Sequence, residues 1–332
     1  MRKSSVLAVS LVTTALLGFG GAVVAQDKTE LTVALPVNLC LANWPFYVAA
    51  GEGLFAAEGL EVTMQGLDGS SAAIQAMLAG QAQIAVSAPA DILAATGAGA
   101  DLTGFYSFYQ YLPFRVVTAG DSPVASLADL KGATIGITSV SGGEATYLRS
   151  VMAFSGMAEG DYEALAVGEG GMAASAMTDG TIKAFSASFV DEIIFGGMGF
   201  AYKPLVAEGY PGTAGLLLAA DSGFVADNAS VIEGLGRALV KATAAGLANR
   251  DLVVATCGAA APHETEDPGF AGAVLDGVDP LFTLTDAAAG PMGHVDEATW
   301  ASYRDLIISI GAAGPDAAKT EVSNAFVESW NK

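Results

Sequence analysis

Histidine is nearly missing: His263 and His294 are the only two in 332 residues. They fall in separate loop-like contexts with no partnered nucleophile, so neither a Ser-His-Asp nor a Cys-His centre has support. Cysteine is as scarce. Cys40 and Cys257 fit no zinc spacing. In an oxidising compartment they allow a single disulfide, but a sequence carries no distances and leaves the pairing open. Basic residues are few, 14 Lys and Arg against 35 Asp and Glu, for a formal charge of −21. So acidic a chain argues against nucleic acid and anionic membranes as partners, and reads first as a solubility device. No Gly-Lys-Ser/Thr follows the glycine-rich stretch Gly168-Glu-Gly-Gly171, which excludes a nucleotide-binding P-loop there. No cofactor and no metal is expected.

Long apolar runs are confined to the start. Arg2 and Lys3 precede the apolar segment Val6 to Phe19, and Val23-Val-Ala25 supplies small residues for cleavage. Residues 1–25 therefore read as a secretory signal peptide cut after Ala25. The segment is shorter than the ~20 residues a spanning helix needs, and no cysteine stands where a lipid anchor would require one. The expected product is an exported, periplasmic protein, free of the membrane and monomeric.

The mature chain opens with a strand, Leu31 to Leu35, then a short helix from Trp44 to Ala50 ended by Gly51 or Gly53, then a strand from Leu60 to Met64. This is a βαβ unit, whose parallel strands need the crossover. Ligands bind such units at the carboxyl ends of the strands, which makes the loop from Pro36 to Asn43 the first candidate lip of a site. The same cycle repeats. Ser70 starts a helix ended by Gly80, and Ala82 to Val86 and Leu102 to Tyr106 are strands. Further on, Ile135 to Thr138, Leu165 to Val167 and Ile182 to Ser186 are strands, each followed by a polar or glycine-rich loop and a helix. That is an open α/β pattern. The remainder is mostly helical, with Pro262 to Pro268 reading as an exposed acidic loop.

Two segments carry a family resemblance. Trp44-Pro-Phe-Tyr-Val-Ala-Ala-Gly-Glu-Gly-Leu-Phe-Ala-Ala-Glu-Gly-Leu-Glu-Val62 resembles the first helix of periplasmic solute-binding proteins that serve ABC importers for alkanesulfonates, taurine, nitrate and thiamine-pyrimidine precursors. Ser126-Leu-Ala-Asp-Leu-Lys-Gly-Ala-Thr-Ile-Gly136 is similar to that family's entry into its second lobe. The resemblance implies a type II periplasmic-binding-protein fold. Two lobes, each a mixed open sheet flanked by helices, would be joined by a hinge of two crossings. Lobe one would comprise residues 26–112 and 213–332, and lobe two residues 113–212. It also implies a small-molecule ligand, with a membrane permease and an ATPase as partners. A membrane sensor as partner stays open. The one enzyme branch, a thiamine-pyrimidine synthase, carries a cysteine-rich motif that is absent here.

Strand-end loops of both lobes should face one cleft. The candidates are Asn38, Asn43, Trp44 and Ser87 from lobe one and Tyr109 at the hinge. Ser141, Gly142, Gly143, Glu169, Phe189 and Asp191 come from lobe two. Helix N-termini attract anions, but Glu144 stands in the first turn of the helix after Gly143 and would meet that positive end itself. With Glu169 and Asp191 nearby, acids and aromatics favour a planar heteroaromatic that offers N–H or O–H groups. By resemblance a thiamine-pyrimidine precursor is the first expectation, and a sulfonate, taurine or nitrate the alternative.

Overall fold

The structure, a computed structural model, describes residues 28–140, 142–210, 215–283 and 290–332. The expected signal peptide and Ser141 lie outside these residues. Two five-stranded mixed sheets organise the chain. The first takes β1 (Thr29–Leu35), β2 (Leu60–Gly66), β3 (Ile84–Ser87) and β4 (Leu102–Ser107). The second takes β5 (Phe114–Ala119), β6 (Thr134–Ile137), β7 (Glu163–Ala166), β8 (Ala184–Ser188) and β9 (Tyr202–Leu205). The chain then returns β10 (Leu217–Asp221) to the first sheet.

The strand orders are β2-β1-β3-β10-β4 and β7-β6-β8-β5-β9. Each sheet has a parallel trio, β2-β1-β3 or β7-β6-β8, and one central antiparallel strand. In both, that antiparallel strand is the first one laid down after a crossing, β5 on the way out and β10 on the way back. The crossings run side by side, and the amides of Phe108 and Tyr109 both donate to the Leu216 carbonyl. Equivalent ends of the two sheets therefore face each other across the hinge.

Local chemistry accounts for most elements. Ser126 and Asp129 form a capping box at the 3-10 turn Leu127–Leu130. Gly53, Gly59 and Gly132 have positive φ, where a side chain would be strained. Two strands depart from expectation. β9 contains Pro204, which is tolerated because β9 is an edge strand. β10 is fully buried over Leu217–Ala220 in a central position, so its run of apolar residues carries no alternation to read.

The stretch from Pro262 to Pro268 is not simply an exposed acidic loop. Glu264 is buried, and its two carboxylate oxygens accept from the amides of Cys40 (2.8 Å) and Leu41 (2.9 Å). Beside it, Cys40 and Cys257 form a disulfide across 217 residues of sequence. Together they fasten the loop after β1 to the helix Arg250–Ala260. Closing so long a loop stabilises the fold by about 2–5 kcal/mol. Replacing both cysteines with alanine should lower the unfolding free energy by that amount in denaturant titration, with ligand affinity weakened through the loosened lip.

Candidate ligand-binding cleft

A cavity of about 390 Å³ opens between the two sheets, within the size range of small-molecule sites. Most of the walls come from strand ends or the crossings. The lobe built on the first sheet gives Pro36–Leu39 after β1 and Asp68–Ser70 after β2. The crossings give Tyr109, Pro113, Phe114 and Leu216. The other lobe gives Thr138, Ser139 and Gly142–Glu144 after β6, Glu169 after β7, and Ser188–Val190 after β8. Phe270 closes one side from the helix Pro268–Val278.

The lip after β1 is held rigidly. Asn43 Nδ2 donates to the carbonyls of Val37 (3.1 Å) and Leu39 (3.0 Å), and the Tyr109 hydroxyl donates to the Ala42 carbonyl (2.6 Å). Tyr109 stacks on Phe108 with ring centroids 5.1 Å apart and meets Phe282 edge-on. It thus presents a fixed edge to the cavity rather than a mobile ring. Phe114, Phe189 and Phe270 supply the other aromatic surfaces.

On the opposite wall, carboxylates already occupy the helix starts. Glu144 is buried in the first turn of the helix Gly143–Phe154, and its Oε1 accepts from the Ser139 amide at 3.2 Å. Its carboxylate folds over Gly142, leaving no room there for a Cβ. Burial raises the Glu144 carboxyl above its ordinary range, with the charges of Asp191 and Asp91 adding to the rise. Asp191 accepts from the Gly170 amide (2.8 Å), just before the helix Gly171–Thr178. It also accepts from the Ser188 amide (2.8 Å) and hydroxyl (2.7 Å), in a capping box at the helix Phe189–Gly197. Glu169, at the mouth, is raised by partial burial and then by Asp191 and Asp68.

Among the described residues, no Lys, Arg or His lines the cavity. Arg115, largely exposed, pairs with Glu192 at 3.0 Å. Arg149 bonds the Thr146 hydroxyl and reaches toward Glu159. Among the described residues no group of three or more His, Cys, Asp or Glu could hold a metal ion.

Of the residues the sequence nominated, Asn38, Tyr109, Gly142, Gly143, Glu169 and Phe189 line the cavity. Four do not. Trp44 is fully buried, its indole N–H donating to Asp279 at 3.2 Å and its ring packed on Phe282 and against Gly246. Ser87 is buried beneath the site and bonds the Ser70 and Ala88 carbonyls. Asn43 through its Nδ2 and Asp191 through both oxygens hold neighbouring loops, and neither lines the cavity. Asp68, Phe114 and Phe270 were missed. Asp68 was recoverable from the strand-end rule, whereas Phe270 sits in a helix that the Pro- and acid-rich sequence around it disguises.

Comparison with known proteins fits this architecture. Residues 42–251 match the family model described as NMT1/THI5 like. The chain belongs to that family. A riboflavin-binding protein, RibY, of Chloroflexus aurantiacus is 26% identical over 305 residues, covering 91% of this chain and 86% of RibY. Among solved structures, a protein of Bordetella bronchiseptica RB50 superposes with a TM-score of 0.70 at 22% identity, covering 92% of this chain and 98% of the other. The alkanesulfonate-binding protein SsuA of Xanthomonas axonopodis pv. citri, solved with MOPS bound, gives 0.67 at 17% identity, covering 90% and 100%. The fold is that of periplasmic binding proteins.

Trp44→Ala tests the reassignment of that residue. The expected outcome is a loss of about 3–5 kcal/mol in unfolding free energy. At temperatures where the variant stays folded, its ligand affinity should match the parent, measured by calorimetry.

Proposed function

We propose that this chain is the exported substrate-binding receptor of an ABC importer and not an enzyme. Its cleft takes a planar heteroaromatic ligand that offers N–H or O–H groups and bears no net negative charge. The closing units are residues 26–112 with 213–332 against residues 113–212. A ligand that touches both walls only when they approach shifts the population toward the closed form. A permease and its ATPase would then read that form.

The observation that carries the ligand class is the state of the helix starts around the second wall. Anions bind at helix N-termini through free amides and the helix dipole. Here Glu144 covers one such start, and Asp191 serves the other two. With no basic side chain among the described lining residues, a sulfonate or nitrate would enter a field of like charge. A ring with N–H or O–H groups instead finds carboxylate acceptors in Glu144, Glu169 and Asp68 and aromatic faces in Phe114, Phe189 and Phe270. The relationship to a riboflavin-binding protein supports a pyrimidine-containing ring, either a flavin or a smaller thiamine-pyrimidine precursor. The likeness to a sulfonate-binding fold favours the alternative, sulfonate, taurine or nitrate.

A thermal-shift screen separates the two. Ligand at ~100 times its dissociation constant adds about 2.7 kcal/mol of stability. Aminopyrimidines or flavins should raise the melting temperature, while MOPS, taurine and nitrate leave it unchanged. In Glu144→Ala the freed helix start should gain measurable sulfonate binding. A parent protein that responds only to the anions would overturn the assignment.

A further inference from the structure

The two lobes also meet along a seam where the helix Pro89–Gly97 packs against Gly143–Phe154 and Glu297–Ser309. Asp91, in the first turn of Pro89–Gly97, is buried there at 6% exposure. One of its oxygens takes the Ser71 hydroxyl, and the other, Oδ2, has no partner. Tyr303, from Glu297–Ser309, is 1% exposed, and its hydroxyl interacts with those of Ser150 and Tyr210. It lies within the electrostatic reach of Asp91 and close to Tyr210 and Ser150, whose hydroxyls bond each other at 2.6 Å.

A buried carboxylate oxygen without a partner penalises the ionised form. Asp91 belongs to one lobe, while part of what covers it, the helix Gly143–Phe154, belongs to the other. Parting the lobes would return water to it.

We propose that Asp91 is a proton switch on lobe closure: closing takes up a proton at this carboxylate, so mild acidification favours the closed receptor whatever the ligand. Burial raises the Asp91 carboxyl to about 6, with the Ser71 hydrogen bond and the Arg149 charge opposing. Solvated in the open form, it falls back toward about 4. The closed form thus holds the proton more tightly. Its advantage is full below about pH 4 and disappears as pH rises through about 6.

The groups facing Asp91 are few. Ser71 comes from the helix Ser70–Leu78, Arg149 and Glu144 from Gly143–Phe154, and Tyr303 from Glu297–Ser309. Burial also raises Glu144, with the Asp91 charge among the further causes. Against the other flank, the 3-10 turn Pro315–Lys319 keeps its charges at the surface as a Lys319–Asp316 pair.

The test is small-angle scattering of the ligand-free, full-length mature protein between pH 4.5 and 8. The radius of gyration should fall in one step as pH drops through about 6, with the closed-to-open ratio rising by about 25-fold across the range. Asp91→Asn, which mimics the protonated side chain, should stay compact with no step. Arg149→Met should move the step to higher pH, since the opposing cation is gone, and its partly exposed position spares the fold. A flat parental profile would overturn the proposal. So would a step that persists in Asp91→Asn, or one that Arg149→Met leaves in place.

Discussion

The Glu144 carboxylate lies back over the start of its own helix, where the Ser139 amide holds it, and the rest of the cleft has to accommodate that fixed negative charge. A tethered anion at a helix N-terminus needs no counter-ion and cannot diffuse away. Asp191 does the same for two neighbouring helix starts through three hydrogen bonds. The wall that would otherwise attract anions is therefore neutralised from within. On the proposed reading, what remains available to a ligand is hydrogen-bond acceptance and aromatic surface, so shape and N–H pattern would decide the fit more than charge.

The opposite lip is fixed by different means. Its loop is bonded from below by Asn43, from behind by Glu264 and covalently by Cys40–Cys257, while Tyr109 pins it to the hinge. Such a loop holds its geometry before the ligand arrives, which lowers the ordering cost of binding. One wall is thus rigid and the other carries the fixed charges. The proposed closure would bring the two together along a seam that contains a carboxylate of its own.

Much of this was legible in the sequence, and the failures have physical causes. The opening strand-helix-strand unit and the strand-end position of Glu169 follow from periodicity and local chemistry. Trp44 does not. Its eight-residue helix buries Trp44, Pro45, Phe46, Val48 and Ala49, and a helix apolar on all sides gives no clue which residue faces the cleft. Glu264 was hidden for the opposite reason, because acids between prolines look solvated until a distant loop supplies amides for them. The disulfide needed a distance, 5.6 Å between Cα atoms, that no spacing encodes. β10 escaped notice because a fully buried strand has no polar face.

The most direct test of the cleft chemistry is native mass spectrometry of the protein taken from the cells that make it, under conditions that keep bound small molecules in place. The expected result is one retained heteroaromatic per chain, bearing N–H or O–H groups and no net negative charge, lost on Glu169→Gln or when Phe189 is replaced by alanine. Retention of an aliphatic sulfonate or another small anion would contradict the account. It would mean that Glu144 gives way to the ligand instead of standing in its place.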